Sequence, residues 1–374
     1  MRLLIVADAF LPRWDGVSRF LSQLIPVLSK SFNVVVIAPN YGKPPHYKGV
    51  EVHFIQPVGF EINAYSPPRF ATKLVEEEVS KAGLIFIHSI GPLGANAVVA
   101  ANRLKKKVIA YVHSVEWELV PRSLPRSHVL RISSTVVSRS VAKSLYSKVN
   151  LLLVPSARIA GTLKKNGILT KSRIVPMGVD SKKFFPAKSK SKAKSGLGID
   201  PNIFVIGFCG RIAREKDLPT LHNAFLQIYS QYSNCLLLLV GKGLQHLHEL
   251  FRHEAVMLPG SIDNVLPYLQ AMDVFCLPSL TETSSLATME AMACGVPVIV
   301  TPVGGLTNYV KEGYNGLFFP VRDHIKLAEH IETLLLDKGL RQRLGRNARI
   351  TAVSRLRWSG TTKKIVTILK KEAK

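Results

Sequence analysis

Two glutamates eight residues apart, Glu282 and Glu290, lie in the segment PSLTETSSLATMEAMACGVPVIV. The segment predicts a strand, a loop, a helix and another strand, with residues 283–285 able to cap the helix. Unbonded N–H groups and the positive dipole end favour a diphosphate at such a helix start. Glu290, about two turns into the helix, would accept hydrogen bonds from vicinal hydroxyls such as those of ribose, while Glu282 would lie near a more distal group. Taken alone, the pair is also compatible with two unrelated helix glutamates.

Two cations, Arg211 and Lys216, follow a predicted strand in the segment GFCGRIAREKDL. Gly207 and Gly210 permit a tight turn that lets both cations converge on one point. This suits a pyrophosphate leaving group, because negative charge develops on it as a glycosidic bond to phosphate breaks. The charge would then be stabilised without a metal. Two solvated surface cations are the alternative.

Two more segments have residue types that contact ligands. In PRWDGVSRF, Gly16 and Val17 stand where a predicted strand turns into a helix, and a glycine there lets the main chain approach a phosphate. In VIAYVHSVEWE, His113 ends a predicted strand, at the edge where open α/β sheets bind ligands, and would hydrogen-bond a sugar hydroxyl. A plain turn and a structural histidine are the alternatives, and His88, at the end of LIFIH, is a weaker candidate.

Short apolar runs alternate with stretches of helical spacing, which predicts an α/β fold of parallel sheets with helices on both faces. A chain of 374 residues is long for one core, so two such domains are expected. The predicted strands of the first domain are 2–7, 33–38, 84–87, 107–112, 150–154 and 173–176. Those of the second domain are 203–208, 235–240, 255–258, 273–277, 296–300 and 316–319.

The domain boundary is predicted from composition. Residues 187–201 are rich in Lys, Ser, Ala and Gly, which is typical of a flexible linker. We therefore predict a first domain over 1–186, this linker, and a second domain over 202–355. Residues 356–374 are predicted to form an amphipathic terminal helix that packs back on the first domain.

The chain has 50 Lys and Arg against 25 Asp and Glu, and its net charge of +25 favours a polyanionic partner. No acidic residue stands between Glu118 and Asp180. Residues 127–148 mix Val and Ile with cations, as a helix on an anionic membrane surface does, although a core-packing helix with a basic face is the alternative. The candidate membrane-binding residues are Arg122, Arg126, Arg131, Arg139, Lys143 and Lys148.

Several protein classes are disfavoured. No apolar run reaches the roughly 18 residues that cross a bilayer, and Asp8 interrupts the first run too early for a signal peptide, so a cytoplasmic protein is expected. The widely spaced cysteines, which predict buried thiols without disulfide or structural zinc, are Cys209, Cys235, Cys276 and Cys294. The sequence contains no GxxxxGK[ST], full dinucleotide fingerprint, HExxH or GxSxG motif.

Taken in order, these segments resemble glycosyltransferase family 4, the retaining enzymes of GT-B architecture, in which two Rossmann-like, doubly wound parallel-sheet domains face each other across a cleft. The resemblance covers nearly the whole chain. Its motifs are the N-terminal glycine turn, the strand-end histidine, ValProSer at 154–156, GlyValAsp at 178–180, Phe184, Pro186, the Gly210–Lys216 segment, the block at 278–298, GlyGly at 304–305 and AsnGly at 315–316.

The resemblance implies that a nucleotide sugar is bound mainly by the second domain. The donor-binding residues would be Gly16, Val17, Gly210, Arg211, Lys216, Met257, Glu282, Ser284, Ser285, Leu286 and Glu290. The catalytic residues would be His113, Glu282, Arg211 and Lys216. Among these, Arg211 and Lys216 would bind the diphosphate and Glu290 the ribose, whereas Glu282 and His113 would contact the transferred sugar. The base would meet main chain near Met257.

The family is thought to retain the anomeric configuration by same-face attack, in which a phosphate oxygen accepts the acceptor's proton. The resemblance therefore implies no protein base, no metal and no cofactor besides a UDP- or GDP-linked hexose. Many relatives carry a glycine-containing loop after the first glutamate, whereas this chain has Thr283, Ser284 and Ser285, so the sugar stays open among mannose, glucose and galactose types.

PRWDGVSRF resembles the start of family members that glycosylate lipids such as diacylglycerol or phosphatidylinositol. The expected acceptor is therefore a membrane lipid or a glycan precursor, with the protein attached peripherally to the inner face of the cell membrane. The alternatives are a soluble glycan or small-molecule glycosyltransferase, a nucleotide-sugar 2-epimerase of the same fold, and a glycosidase that uses Glu282 and Glu290. A nucleic-acid binder is disfavoured because zinc-finger spacing and an RNP-type aromatic motif are missing.

Overall fold

The computed structural model describes residues 1–13, 15–43, 46–125 and 127–373, and for His246 and His248 the main chain alone. The chain divides into two compact units. The first consists of Met1–Pro176 and Thr361–Lys374, and the second of Met177–Gly360. Each unit is built on one parallel sheet.

The strands of the first unit are β1 (Arg2–Val6), β2 (Asn33–Pro39), β3 (Glu51–Ile55), β4 (Leu84–Ile87), β5 (Val108–Tyr111), β6 (Leu151–Val154) and β7 (Ser172–Ile174). They form one sheet of order β3-β2-β1-β4-β5-β6-β7. The helices are α1 (Gly16–Leu28), α2 (Thr72–Lys81), α3 (Pro92–Arg103), α4 (Glu116–Ser123), α5 (His128–Tyr146) and α6 (Ala157–Lys165).

The strands of the second unit are β8 (Phe204–Cys209), β9 (Cys235–Val240), β10 (Val256–Gly260), β11 (Val274–Leu277), β12 (Val298–Val300) and β13 (Gly316–Phe318). Their order in the sheet is β10-β9-β8-β11-β12-β13. The helices are α7 (Lys190–Ser195), α8 (Leu218–Tyr229), α9 (Gln245–Leu250), α10 (Leu266–Ala271), α11 (Leu286–Ala293), α12 (His324–Leu336) and α13 (Lys338–Arg355). The chain ends in α14 (Trp358–Glu372).

The central strands are continuous apolar runs because helices cover both faces of a parallel sheet. Every residue of β4, β8 and β11 is buried, and the apolar runs of the sequence predict these strands. They do not predict β3, where Glu51 and His53 alternate with apolar residues. This strand stands half-buried at the sheet edge, so its composition lacks the uninterrupted apolar run of a central strand.

The predicted linker at 187–201 is wrong, because this segment is folded into the second unit. It forms the short helix α7, and its Lys194 side chain is buried. The Lys194 Nζ lies 2.7 Å from the Asp273 carboxylate and donates to the Ile203 carbonyl at 2.6 Å. A lysine-rich composition suggests solvent exposure, but it does not reveal that one of these lysines has a buried partner. The chain divides between Pro176 and Met177 instead.

The C-terminal helix α14 returns to the first unit from residue 361 onward. The Thr361 hydroxyl donates to the Pro176 carbonyl at 2.8 Å, and Lys107 donates to the Glu372 carbonyl at 2.7 Å. Ile365 and Leu369 of this helix are buried.

All named strand pairs in both sheets are parallel, so the carboxyl ends of the strands lie along one edge of each sheet. In the first unit, the segments after the neighbouring strands β1, β4 and β5 meet at this edge. In the second, the segments after β8, β11 and β12 do so. These segments carry most of the residues that sequence analysis singles out.

Lys194→Met should destabilise the second unit by about 3 kcal/mol, because it leaves the buried Asp273 carboxylate without its cation. Equilibrium urea unfolding at neutral pH measures the loss. Lys192→Met is the matched control, since Lys192 is exposed on the same helix and its removal should change stability by less than about 0.5 kcal/mol. Equal effects of the two variants would refute a structural role for the buried pair.

Candidate functional site

The second unit brings two predicted site residues from different segments into contact. Lys216, six residues after Gly210 at the end of β8, pairs with Glu282, which follows β11. The same Glu282 oxygen, Oε1, accepts from the Ser279 hydroxyl at 2.9 Å. Because β8 and β11 are neighbours in the sheet, the parallel topology places these segments side by side. Lys216 and Glu282 are 66 residues apart in the chain, so spacing alone does not predict their contact.

The other predicted cation, Arg211, pairs with Glu215, a residue that sequence analysis misses. Glu215 is buried, and its main-chain carbonyl accepts from the Leu280 N–H at 2.8 Å. Glu215 therefore holds Arg211 with its side chain and the segment after β11 with its main chain. The local sequence does not indicate this pair, because Arg211 precedes the short 3₁₀ helix of Arg214–Lys216 and the four-residue spacing of ion pairs holds within an α-helix.

Gly210 and Gly241 allow the segments after β8 and β9 to pack main chain against main chain. Both have φ values of 151°, in the region that favours glycine. A Cβ atom on Gly241 would lie 1.8 Å from the Gly210 carbonyl oxygen. Gly210 therefore has a structural role beside the predicted turn, and its partner Gly241 is a position that sequence analysis does not single out.

The predicted capping segment forms the start of α11. Ser285 is the N-cap residue, and its hydroxyl accepts from the Thr288 N–H at 3.2 Å. The Ser285 N–H donates to the Tyr309 hydroxyl at 3.3 Å, so this amide is engaged by a residue that the sequence did not indicate. Leu286 is the first residue of the helix, where the N–H has no intrahelical acceptor. An unbonded main-chain N–H at the start of a helix is the kind of group that binds an anion.

Two glycines after β12 shape the segment that carries Glu282. A Cβ atom on Gly304 would lie 1.2 Å from the Glu282 carbonyl oxygen, and one on Gly305 would lie 2.0 Å from the Thr283 carbonyl oxygen. The Gly305 N–H also donates to the Glu282 carbonyl at 3.2 Å. Any side chain at either glycine would therefore push the Glu282 main chain away, which explains why GlyGly stands at 304–305.

Glu290 and Met257 occupy separate parts of the second unit. Glu290 is buried in α11 and lies four residues after the first helical residue, about one turn rather than the predicted two. Met257 lies half-buried in the edge strand β10, separated from β11 by β9 and β8. Ser284 precedes the helix and is half-buried.

In the first unit, His113 contacts a second histidine. His113 follows β5 and His88 follows the neighbouring strand β4, and Nδ1 of His88 lies 3.0 Å from Nε2 of His113. Burial lowers the pKa of His113 to about 3, although Asp15 raises it in part. Burial and the neighbouring His113 lower the pKa of His88 well below its ordinary value. Both rings are therefore neutral at physiological pH.

Gly16 is the first residue of α1, and Asp15 is the N-cap, whose carboxylate accepts from the Ser18 N–H at 2.9 Å. Gly16 is exposed, and a Cβ atom there would meet no described heavy atom within 4 Å. The described residues therefore leave room for a side chain at this position, and the predicted phosphate contact of Gly16 stays a prediction. Val17 is half-buried in the same helical turn.

Two carboxylates that the sequence patterns do not indicate lie at the same edge of the first unit, Asp8 buried and Glu116 half-buried. Asp8 follows β1 and accepts from the Leu93 N–H at 2.7 Å, at the start of α3. Glu116, at the start of α4, accepts from the hydroxyls of Tyr146 and Ser114, both at 3.1 Å. Burial raises the pKa of Glu116 to about 7.

The predicted interfacial segment forms α5, whose apolar side chains are largely exposed. Val129 is 74% exposed and Val137 60%, whereas this helix buries Ala142, Leu145 and Tyr146 near its C-terminal end. Its exposed large apolar residues are Val129, Leu130, Ile132, Val136, Val137 and Val141. The core-packing alternative therefore does not describe most of this helix.

The predicted membrane-binding cations surround this apolar face unevenly. Arg139, Lys143 and Lys148 are exposed, Arg131 is half-buried, and Arg122 on α4 lies 3.5 Å from Glu118. Arg126 lies outside the described residues. None of the helices described in this structure is both long and apolar enough to cross a membrane.

Two family models match the chain in succession. Residues 14–183 match the model "Glycosyltransferase Family 4", and residues 189–351 match "Glycosyl transferases group 1". The chain is 27% identical to the alpha-monoglucosyldiacylglycerol synthase of Acholeplasma laidlawii, over 94% of this chain and 92% of that protein. It is also 27% identical to a GDP-mannose-dependent alpha-mannosyltransferase of Corynebacterium glutamicum, over 86% of this chain and 78% of that protein.

Solved structures share the fold. Sucrose-phosphate synthase from Thermosynechococcus elongatus superposes with a TM-score of 0.82 at 22% identity, over 99% of this chain and 98% of that one. Anabaena HepE in complex with UDP-glucose superposes with a TM-score of 0.80 at 19% identity, over 99% of this chain and 100% of that one. These likenesses establish the two-domain GT-B architecture that the sequence predicts.

His113→Gln should make the stability of the protein less sensitive to acid. The pKa of His113 is about 3 in the folded protein, and that of an unfolded histidine is about 6.5. Between these values the unfolded chain binds the extra proton, so the free energy of unfolding falls by about 1.4 kcal/mol per pH unit as the pH decreases below about 6.5. Urea unfolding at pH 7 and pH 5 should show a smaller loss in the variant.

His128→Gln is the control for this measurement, because His128 is exposed at the start of α5. Its stability loss between the two pH values should equal that of the wild type. If His113→Gln also lost as much stability as the wild type between pH 7 and pH 5, then His113 would accept a proton in the folded protein as readily as in the unfolded chain.

Proposed function

The chain belongs to glycosyltransferase family 4, and from this membership we propose that it transfers a hexose from a UDP- or GDP-linked donor to a membrane-lipid hydroxyl, with retention of configuration. The observation that carries this proposal is the contact of Lys216 with Glu282 beside the start of α11. It joins the predicted diphosphate cation to the predicted sugar carboxylate. The two relatives compared above are named as a synthase and a transferase, which favours the transferase over the epimerase alternative.

The cluster formed by the pairs Arg211–Glu215 and Lys216–Glu282 suits a leaving group whose negative charge increases during the reaction. Two cations and two carboxylates make the cluster neutral before the donor binds, and the Lys216 ammonium has three donor positions, of which Glu282 takes one. The N-terminus of α11, whose first turn contains no acidic residue, adds partial positive charge. These groups are held in place before reaction, so they stabilise the developing diphosphate charge at little reorganisation cost.

Glu282 is the residue proposed to bind the transferred sugar. Its Oε1 is fixed by Lys216 and Ser279, and Gly304 and Gly305 fix its main chain. A carboxylate has two acceptor oxygens, so a carboxylate held in this way still accepts hydrogen bonds from sugar hydroxyls. Glu290 is proposed to bind the ribose hydroxyls in the same manner.

In the proposed reaction, the bond from the sugar C1 to the diphosphate oxygen breaks as the acceptor hydroxyl bonds to C1 on the same face. The acceptor proton passes to the leaving phosphate oxygen, and Arg211 and Lys216 stabilise the resulting charge. No protein base and no metal take part in this scheme. His113 in the first unit is proposed to contact the transferred sugar.

The lipid acceptor is proposed from α5 and from the relatives. An exposed apolar face with Arg139, Lys143 and Lys148 beside it combines the two attractions of an anionic bilayer, apolar burial and charge. A protein partner would more often meet an interface core depleted in charge. We therefore propose that α5 attaches the first unit to the inner face of the cell membrane, where a lipid acceptor is supplied.

Lys216→Met should lower kcat about 100-fold while changing donor Kd less, because the lost interaction strengthens as the diphosphate leaves. Thermal shifts with UDP and GDP first identify the nucleotide, and turnover is then measured with its hexose conjugates and diacylglycerol in mixed micelles containing EDTA. Lys326→Met, an exposed lysine in the same unit, is the control and should leave kcat unchanged. Full turnover of Lys216→Met would overturn the leaving-group role of Lys216. Loss of wild-type turnover in EDTA would overturn the metal-independent scheme.

Replacing Arg139 and Lys143 together by Gln should weaken binding to phosphatidylglycerol-containing vesicles about 30-fold, since each cation near the surface contributes about 1 kcal/mol. Vesicle sedimentation at low salt measures this change. The matched control replaces Lys363 and Lys364 of α14, which are also exposed, and should change binding less than threefold, as about 0.6 kcal/mol would. Failure of the wild-type protein to sediment with these vesicles would refute the membrane assignment.

Substituting the apolar face tests the second part of the attachment. Val129→Ser with Val137→Ser should also weaken vesicle binding, because each buried valine contributes about 1.5 kcal/mol or more. Ile325→Ser with Leu336→Ser is the control, since these residues of the second unit are 55% and 63% exposed. If both pairs weaken binding equally, α5 is not the membrane contact.

A further inference from the structure

His88 is a fully buried histidine to which the proposed reaction assigns no role. It follows β4, and its Nδ1 lies 3.0 Å from Nε2 of His113, which follows β5. Phe86 packs edge-on against the His88 ring at a centroid distance of 4.3 Å, and the Tyr111 ring is nearly parallel to it at 6.3 Å. These rings fix the orientation of His88, so its nitrogen is held toward His113.

The hydrogen bond between two neutral imidazoles has a definite direction, because one nitrogen must carry the proton and the other must accept it. If His88 accepted at Nδ1, its own proton would lie on Nε2. The His88 Nε2 atom is buried and has no hydrogen-bond partner among the described residues. A buried N–H without an acceptor is rarer in proteins than an acceptor without a donor. The environment of His88 therefore favours the proton on Nδ1.

We propose that His88 is a positioning residue that donates from Nδ1 to Nε2 of His113 and so fixes the proton of His113 on Nδ1. His113 then carries an N–H, and not a lone pair, at its Nδ1 atom. A donor of this kind binds an oxygen of the transferred sugar and cannot act as a base toward the acceptor. This consequence rests on the proposed function, whereas the direction of the histidine pair does not.

The neutrality of the pair supports this assignment over the physiological range. Burial lowers the pKa of both histidines, and the direction persists as long as His113 stays neutral, because a protonated His113 would donate from its Nε2 to His88. His113 is flanked by Phe20 and Tyr111, at centroid distances of 5.1 and 4.5 Å, and by the charge of Asp15. Besides burial, the neighbouring His113 lowers the pKa of His88. The tautomer therefore persists at neutral pH.

Long-range ¹H–¹⁵N NMR of histidine-labelled wild-type protein tests the inference directly, because it distinguishes a proton on Nδ1 from one on Nε2. His113→Gln identifies the His113 signals by their loss. We expect both His88 and His113 as Nδ1–H tautomers. Finding His113 as the Nε2–H tautomer would overturn the inference, and this readout does not depend on donor or acceptor.

Two substitutions of His88 separate positioning from bulk. His88→Phe keeps the ring but has no donor, so His113 should lose its fixed tautomer and kcat should fall about tenfold, the equivalent of one hydrogen bond. His88→Asn places an amide N–H near the former Nδ1 and should restore the His113 tautomer and most of the lost turnover. An unchanged His113 tautomer in His88→Phe would overturn the inference.

Thermal unfolding of both variants shows whether they fold, and the wild-type NMR result stands if they do not. Should the tautomer be as expected while no nucleoside-diphosphate sugar supports turnover, the proposed function fails and the histidine assignment survives. If turnover is found but His113 is the Nε2–H tautomer, the inference about His88 fails and the transferase proposal stands.

Discussion

The parallel direction of the named strand pairs is the constraint on which the arrangement of the predicted residues in each unit depends. In a parallel sheet all strands end at the same edge, so segments that follow neighbouring strands meet there however far apart they are in the chain. The pairing of β4 with β5 brings His88 to His113, 25 residues later. The pairing of β8 with β11 does the same for Lys216 and Glu282.

Polar side chains at these edges bind a ligand well only if neighbouring groups fix their orientation. Here carboxylates and glycines do so. Glu215 and Glu282 orient the two cations, and without such partners long side chains would lose more rotamer freedom when a ligand binds. Gly304 and Gly305 allow main-chain contact at distances that exclude any Cβ. These residues are therefore held in place by their surroundings, which is the condition that the electrostatic stabilisation proposed for them requires.

Much of this arrangement can be predicted from the sequence, and the features that were mispredicted or missed have physical explanations. Apolar runs predict the strands of both sheets apart from β3, where edge exposure permits polar alternation. Motif order predicts the family, and it places Lys216 and Glu282 in one site. Composition misplaces the domain boundary, because the buried ion pair of Lys194 is a tertiary contact. Tyr309 is missed for the same reason, since nothing in its local sequence indicates a bond to Ser285.

Helix α5 departs from the rule that an amphipathic helix buries its apolar side. Burying a Val, Leu or Ile side chain contributes about 1.5 to 3 kcal/mol, so leaving six of them exposed forgoes a large stabilisation. The helix is anchored elsewhere, through Leu145 and through the Tyr146 hydroxyl bonded to Glu116, three residues after His113. The exposed face is thus tied to the sheet edge that carries His113. A surface that binds lipid there would deliver an acceptor hydroxyl to the edge where the transferred sugar is proposed to lie.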